Sequence, residues 1–428
     1  MPDDSNPGNT PVDDLNSSEP QRAALGAVDT GAYDVAVSLD ELAELAATAG
    51  IETVARAVQN RASPDHATYF GAGKLEEIKE MMQQAECNVF LCDEELSPAQ
   101  QRRLEKEMGV RVMDRTMLIL DIFAARAKSS EGKLQVELAT LKYSLPRLTG
   151  QWMGLSRQAG GHYARGAGES KLETDRRYVR VRIHRLEQEL AALQKRRELL
   201  RGRRNKSGVE TVVIVGYTNA GKSTLMNALT RAGVLAEDKL FATLDPTARA
   251  LRLPDGRKVM LIDTVGLVRR LPHHLVEAFR STLEEATSAS LILNVCDASS
   301  PECAEHLRVT ADLMRDLGCD RLGVPVLRVL NKCDQMPPAQ RQLPLIGGSV
   351  LISALKGDGL GDLLERVAAE LPLQRKQVCL LLPYALAGSG ARFREEGRVL
   401  TEEFREDGIY YEAILPLRLA EEMGEYWV

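Results

Sequence analysis

The stretch V-V-I-V-G-Y-T-N-A-G-K-S-T, residues 212–224, sets an apolar run against a glycine-rich turn that ends in Lys222, Ser223 and Thr224. It matches G-x-x-x-x-G-K-[ST] in the context that gives the pattern mechanical meaning, after a predicted buried strand and before the helical pattern L-M-N-A-L-T of residues 225–230. Gly216 and Gly221 would let backbone amides approach phosphate oxygens, Lys222 would neutralise the β- and γ-phosphates, and the Ser223 hydroxyl would ligate Mg²⁺. A chance glycine-rich turn would lack this flanking strand and helix. An α/β domain with a parallel sheet and a phosphate loop is therefore expected.

Working outward, M-L-I-D-T-V-G at 260–266 reads as a second strand ending in Asp263, placed to hold a Mg²⁺ shell through water, with the Gly266 amide offered to a γ-phosphate. D-x-x-G alone is a weak signal. Its value lies in order, because L-R-V-L-N-K-C-D at 327–334 follows as an apolar strand ending in N-K-x-D. The Asp334 carboxylate can accept hydrogen bonds from guanine N1 and N2, a donor pair adenine lacks, so guanine over adenine follows. Between these motifs F-A-T-L-D-P-T at 241–247 offers Thr243 and Thr247 as switch hydroxyls, and Thr243 is preferred. L-I-S-A-L at 351–355 would put Ser353, Ala354 and Leu355 near the guanine O6, although periodicity alone fits a core strand with a turn equally well.

Residues 1–22 are rich in Asp, Asn, Ser and Pro and read as a disordered tail. Residues 23–125 alternate short apolar runs with helical stretches, as in a small α/β domain: a strand near Ala24 to Val28, a helix opened by Ser38 with Glu41 as its capping box, a strand from Thr53 to Val58, a helix from about Lys74, and a buried strand from Asn88 to Cys92. The G-A-G-K at Gly71 to Lys74 lacks phosphate-loop spacing and reads as a turn. Residues 126–206 carry two apolar seams, Leu134, Leu138, Leu141 and Leu145 before Pro146, then Val179, Ile183, Leu186, Leu190 and Leu193, which imply a helical hairpin. The glycine-rich stretch between them is longer than an ordinary helix connection, and such loops are either functional or floppy tips. Residues 207–372 hold the nucleotide motifs. Residues 373–428 look like strands around a short helix, a small α+β domain without a chemical motif.

With these motifs placed, Y-F-G-A-G-K-L-E-E-I (69–78), D-R-T-M-L-I-L-D-I-F-A-A-R-A (114–127), G-K-L-Q-V-E-L-A (132–139) and R-G-A-G-E-S-K-L-E-T-D-R-R (165–177) resemble the HflX family of ribosome-associated GTPases. The likeness spans about residues 23–372. It departs at the loop tip, where the family's G-P-G-E-T-Q is replaced by Gly166-Ala167-Gly168-Glu169-Ser170-Lys171. The resemblance implies a GTPase that binds the large ribosomal subunit, including its RNA, and splits or rescues stalled ribosomes, with residues 147–171 as the loop that approaches the peptidyl-transferase region. It also implies nucleotide contacts at Gly216, Tyr217, Thr218, Asn219, Ala220, Gly221, Lys222 and Ser223. Further contacts would come from Phe241, Ala242, Thr243, Leu244 and Asp245, and from Asp263, Thr264, Val265 and Gly266. The base would meet Asn331, Lys332, Cys333 and Asp334, with Ser353, Ala354 and Leu355. Mg²⁺ would fall on Ser223 and Thr243, and the catalytic positions on Lys222, Thr243 and Gly266.

Composition is consistent with this: 44% hydrophobic and 27% charged residues are ordinary globular values, and a formal charge of -6 argues against indiscriminate nucleic-acid binding. Charge is nonetheless local. From Lys171 to Lys206 thirteen Lys or Arg stand against five Asp or Glu, a footprint that suits RNA phosphates better than a fully paired coiled-coil face. The competing reading is a GTPase switch that acts on a protein partner through the hairpin. Tyr178 and, within the loop, Trp152 and Tyr163 could stack on bases, and a packed-core role fits Trp152 equally well. The seven cysteines show neither C-x-x-C nor zinc-ligand spacing and read as reduced thiols, and no apolar run is long enough for a membrane span, so a cytoplasmic protein is expected, taken here as a monomer. Leu267 stands where Ras-type enzymes place a water-orienting Gln, so turnover by the isolated chain should be slow, with a partner, or Arg269 and Arg270 in cis, making up the deficit. Asp334→Asn is expected to shift nucleotide preference from GTP toward xanthosine triphosphate; equal binding of GTP and ATP by the unaltered chain would contradict the base-reading motif.

Overall fold

The computed structural model describes residues 20–148, 168–206, 210–230, 240–241, 247–270, 285–337, 348–371 and 375–428. It begins with strands and helices in alternation: β1 (Arg22–Asp29), α1 (Val35–Thr48), β2 (Glu52–Asn60), α2 (Ala72–Gln84), β3 (Val89–Cys92), α3 (Pro98–Met108), β4 (Arg111–Asp114) and α4 (Arg115–Arg126). The strands form one all-parallel sheet in the order β2-β1-β3-β4. In β1, Ala23 to Ala27 contain no polar side chain and are buried, as a strand covered on both faces requires.

One local expectation is corrected. Helix α1 is capped by Asp34, whose carboxylate accepts from the Ala36 and Val37 amides at 3.0 and 3.2 Å, and not by Ser38. The earlier start adds Val35 to the buried stripe of Leu39, Leu42 and Leu45. Ser38 thereby lies inside the helix and donates its hydroxyl to Asp93 at 2.7 Å. A capping box does form at α3, between Ser97 and Gln100. The G-A-G-K segment is the start of α2.

The hairpin consists of α5 (Ser130–Ser144) and α6 (Gly168–Lys206). Leu138 and Leu141 pack with Val179 and Leu186, flanked by Leu134, Leu145, Ile183 and Leu190; Leu193 lies beyond this cluster. The seam is thus closed within the chain. The expected loop, with Trp152 and Tyr163, lies almost wholly outside the described residues.

The motif-bearing part contains β5 (Thr211–Gly216), α7 (Lys222–Thr230), β6 (Thr247–Arg252), β7 (Lys258–Asp263), β8 (Leu291–Asp297), α8 (Cys303–Asp316), β9 (Val326–Asn331), β10 (Val350–Leu351) and α9 (Leu360–Glu370). Its sheet runs β10-β9-β8-β5-β7-β6, parallel except for β6 against β7. The carboxyl ends of β5, β7 and β9 therefore open on one edge of the sheet, where ligands bind in open α/β folds. The last part is an antiparallel sheet of β11 (Arg375–Leu382), β12 (Arg398–Arg405) and β13 (Gly408–Pro416), ordered β11-β13-β12, with helices α10 (Ser389–Glu396) and α11 (Leu417–Glu422). The second of these helices is absent from the sequence reading; Leu419, Ala420 and Met423 close the core against Leu380 and Tyr411. No described helix is long and apolar enough to cross a membrane.

The first two α/β parts share a core. Leu240, Phe241, Val265 and Val268 join Leu118, Ile119, Ile122 and Phe123 in one cluster, with the Phe241 and Phe123 rings edge to face at 4.6 Å. On the opposite face of the first sheet, the packing leaves no room at Gly26: an added Cβ would lie 2.2 Å from Cζ of Phe90 and 2.8 Å from Cζ of Phe70. Gly26→Ala should therefore cost about 1–3 kcal/mol through overpacking. A lowered first thermal transition is the expected readout; an unchanged melting curve would contradict the tight packing.

Candidate functional site

The site grows from the carboxyl end of β5. Gly216 takes φ +152° with an imagined Cβ 2.1 Å from the Val295 carbonyl oxygen, and Gly221 takes φ +84° with one 2.3 Å from Nδ2 of Asn331. Only glycine fits either position. The turn between them carries Asn219 in the left-handed region, at φ 57°, and a buried Ala220. It delivers Lys222 and Ser223, both buried, to the first turn of α7.

The D-T-V-G segment is stitched to this loop. The Thr218 amide donates to the Leu267 carbonyl at 2.7 Å and the Leu267 amide to the Gly216 carbonyl at 3.1 Å. The Thr264 hydroxyl donates to the Ile214 carbonyl at 2.8 Å, and Val265 is buried in the shared core. Gly266 has no space for a side chain, because a Cβ would meet Thr218 Cγ2 at 2.7 Å and Lys222 Nζ at 3.0 Å. The Ser223 hydroxyl donates to Oδ2 of the fully buried Asp263 at 2.8 Å. Hydroxyl and carboxylate oxygens side by side are the donor set a Mg²⁺ ion accepts. Lys222 Nζ donates to the Tyr217 carbonyl at 2.7 Å. Burial pushes this ammonium down to about 8 against the pull of Asp263, and such a desolvated cation favours an anionic ligand.

The base-reading elements meet the same loop through Asn331. Its Nδ2 donates to the Ala220 carbonyl at 2.9 Å, and its Oδ1 accepts from the Ala354 amide at 2.9 Å. One buried amide thus ties the phosphate loop to both base-side segments. Asp334 Oδ1 accepts from the Ser353 hydroxyl at 2.7 Å, which in turn accepts from the Lys356 amide at 3.1 Å. Lys332 sits at φ 62° with its ammonium 2.9 Å from Asp297, the buried Cys333 donates its amide to the Ile352 carbonyl at 3.0 Å, and Leu355 is exposed. Residues 353 and 354, which periodicity left open between a core turn and a base contact, are brought against N-K-C-D.

Two expected positions fall elsewhere. The Phe241 ring is turned into the shared core, and Ala242, Thr243, Leu244 and Asp245 lie outside the described residues. The Tyr217 side chain points away from the loop it belongs to: its ring stacks on His306 at 3.8 Å, its hydroxyl donates to Glu41, and the same oxygen accepts from the Arg269 amide at 2.6 Å. Burial and the Glu41 carboxylate push the phenol up, so it remains a donor.

Sequence reasoning missed the partners of this face. Glu41 and the buried Asp93 hold Arg115, which also donates to the Arg269 carbonyl at 3.3 Å. Arg270 bonds Asp93 at 3.1 Å and Glu94 at 2.9 Å, and lies over the Tyr33 ring. Arg269 bonds Glu302 at 2.5 Å. Neither arginine adjoining D-T-V-G is available in this arrangement as a group acting in cis. The string Asp114-Arg115-Thr116 was the one available signal, and it carried a resemblance without a role.

Three family profiles match the chain: GTP-binding GTPase N-terminal at residues 36–124, GTP-binding GTPase middle region at 126–204, and 50S ribosome-binding GTPase at 211–332. A protein of Lacrimispora saccharolytica named GTPase HflX is 47% identical over 402 residues, covering 93% of this chain and 94% of the relative. The GTPase HflX of Escherichia coli is 42% identical over 374 residues, covering 86% and 87%. Among solved structures, a GTP-binding protein of Sulfolobus solfataricus in complex with GDP aligns with TM-score 0.43 at 27% identity, covering 82% of this chain and 98% of that one.

Asn331→Ala should leave the Ala220 carbonyl and the Ala354 amide without their buried partner, at about 1–3 kcal/mol for each group. GDP affinity should fall at least about tenfold with the sheet intact by circular dichroism. Unchanged affinity by titration calorimetry would contradict the role of this amide.

Proposed function

The chain belongs to the HflX family of GTPases, and from that premise we propose that it binds the large ribosomal subunit, hydrolyses GTP there, and splits or rescues stalled ribosomes. The observation that carries this reading is the 211–332 match to a profile described as a 50S ribosome-binding GTPase, over the segment whose loops Asn331 joins. In this reading the functional parts are residues 23–125, 126–206, 207–372 and 373–428, behind a tail of 1–22, and the protein works as a monomer in the cytoplasm. Its RNA contacts are drawn from α6, where Arg177, Arg180, Arg185, Lys195 and Arg196 are exposed beside an exposed Tyr178. One charge of this helix is paired across the hairpin, Arg182 with Glu137 at 2.7 Å, while Glu187, one of the helix's own acids, is taken up by Lys142 of α5 at 2.8 Å. The alternative, a hairpin that offers an apolar seam to a protein partner, is disfavoured because that seam is filled by its own two helices.

In the proposed mechanism the amides of residues 216–223 cradle the nucleotide phosphates, Lys222 neutralises β- and γ-oxygens, and Asp334 with Ser353 and Ala354 selects guanine. Ser223 and Thr243 would hold Mg²⁺, whose charge offsets that developing on the phosphoryl oxygens. The Gly266 amide meets the γ-phosphate. Orientation of the attacking water is the missing part, because Leu267 is buried against Tyr217, Leu313 and Leu317 and has no hydrogen-bonding group. Arg269 and Arg270 are held by Glu302, Asp93 and Glu94. Slow turnover alone and stimulation by the ribosome follow from this deficit.

The test is GTP turnover with and without purified large ribosomal subunits. A supplied stabilising group can be worth about a thousandfold or more in rate, so marked stimulation is expected, weakened by raised salt in proportion to the phosphate contacts made. Fast hydrolysis that subunits leave unchanged would overturn the proposal, and its loss in Arg269→Ala would establish the cis route instead.

A further inference from the structure

Two cysteines outside every motif bracket the segment 297–302. Cys296, near the end of β8, is buried, and its thiol donates to the Cys303 carbonyl at 3.2 Å. Cys303 is the first residue of α8 and is partly buried. Both belong to one small apolar cluster with Leu307 and Leu330. The nearness of the two side chains pushes the Cys296 thiol up and that of Cys303 down. This arrangement sets a partly buried thiol, suited to attack, beside a fully buried one suited to resolve the mixed disulfide.

The bracketed segment touches two parts of the nucleotide site, and the helix that begins at Cys303 touches a third. Asp297 bonds Lys332 of N-K-C-D at 2.9 Å and accepts from the Ser299 amide and hydroxyl at 2.9 and 2.6 Å. Glu302 holds Arg269, next to D-T-V-G, and His306, one turn beyond Cys303, stacks on Tyr217 of the phosphate loop. Pulling the two sulfurs to bonding distance, about 2.05 Å, with Cβ atoms about 3.8 Å apart, would therefore shift Asp297 and Glu302 together.

We propose that Cys296 and Cys303 form an oxidisable dithiol site, taking a small-molecule disulfide as co-reactant, whose closure loosens guanine-nucleotide binding. The proposal rests on the reading of N-K-C-D as the base-side motif. The Cys303 thiolate attacks one sulfur of the small disulfide and expels the first thiolate, leaving a mixed disulfide. Cys296 gives its proton to solvent and attacks the Cys303 sulfur, expelling the second thiolate. Two protein thiols are oxidised to one disulfide, and the small molecule is reduced to two thiols.

The experiment treats the full-length chain with glutathione disulfide, alkylates it with iodoacetamide, and maps the tryptic peptide of residues 281–308, which contains both cysteines and no other. In parallel, release of a fluorescent GDP is timed before oxidation, after it, and after re-reduction by dithiothreitol. The expected result is a peptide two hydrogens lighter that resists alkylation, and release faster by about two- to fivefold, the worth of one partly exposed ion pair. Dithiothreitol should reverse both changes, and neither should occur in Cys303→Ser or Cys296→Ala. Full alkylation of both cysteines after oxidation, or a disulfide that leaves GDP release unchanged, would overturn the proposal. Failure of the reduced chain to bind GDP would instead overturn the base-site reading beneath it.

Discussion

A carboxylate with no exposed surface, Asp93 at the end of β3, accepts from Arg115, Arg270, Ser38 and Tyr33. An ionised group so placed is tolerable only when paired and hydrogen-bonded, and two of its four partners are cations from different domains. Arg115 continues the chain of contacts to Glu41 and to the Arg269 carbonyl, and Glu41 to the Tyr217 hydroxyl. Separating the first α/β domain from the nucleotide domain would leave Asp93 without one of its two cations and strip Glu41 of Tyr217. The polar network and the shared core around Phe123 and Phe241 therefore hold the segment after D-T-V-G in one position.

This constraint bears on chemistry. The Leu267 backbone is bonded to the phosphate loop on both sides, while its side chain is packed away from it. Arg269 and Arg270, the nearest cations beyond Lys222 along that segment, are engaged on the far face by carboxylates. Pre-organised charge stabilises a transition state only where it points at developing charge. A partner that activates hydrolysis must therefore supply the group itself or release these ion pairs. Burial pushes the Glu41 carboxyl up while Arg115 and the Tyr217 hydroxyl pull it down.

Much of the loop geometry was legible in the sequence because close-approach turns between a strand and a helix are specified by local backbone chemistry. Gly216 and Gly221 are dictated by close approach and Lys222 and Ser223 follow directly, whereas Asp263, 40 residues beyond Ser223, was legible only through its own D-x-x-G pattern at a strand end. The hairpin seam was equally readable, since Leu138 and Leu186 obey helical periodicity. The interdomain network was not, because Glu41 and Tyr217 are 176 residues apart and no periodic pattern links them. Ser38 was misread for a related reason: a capping-box pattern is local, whereas burial of Val35 against the sheet decided where α1 begins. Phe241 was named as a nucleotide contact only through the resemblance, and its ring packs into the apolar core beside it.

The account rests on the first domain fixing the segment beyond D-T-V-G, and amide hydrogen exchange of residues 264–270 in Glu41→Ala tests this most directly. The Arg269 amide is protected by the Tyr217 hydroxyl, at 2.6 Å, and that hydroxyl is oriented by Glu41. Faster exchange across this segment is predicted, with protection in β1, β3 and β5 unchanged as the internal control. Exchange at residues 264–270 identical to that of the unaltered chain would contradict the claim that the two domains are coupled through these contacts.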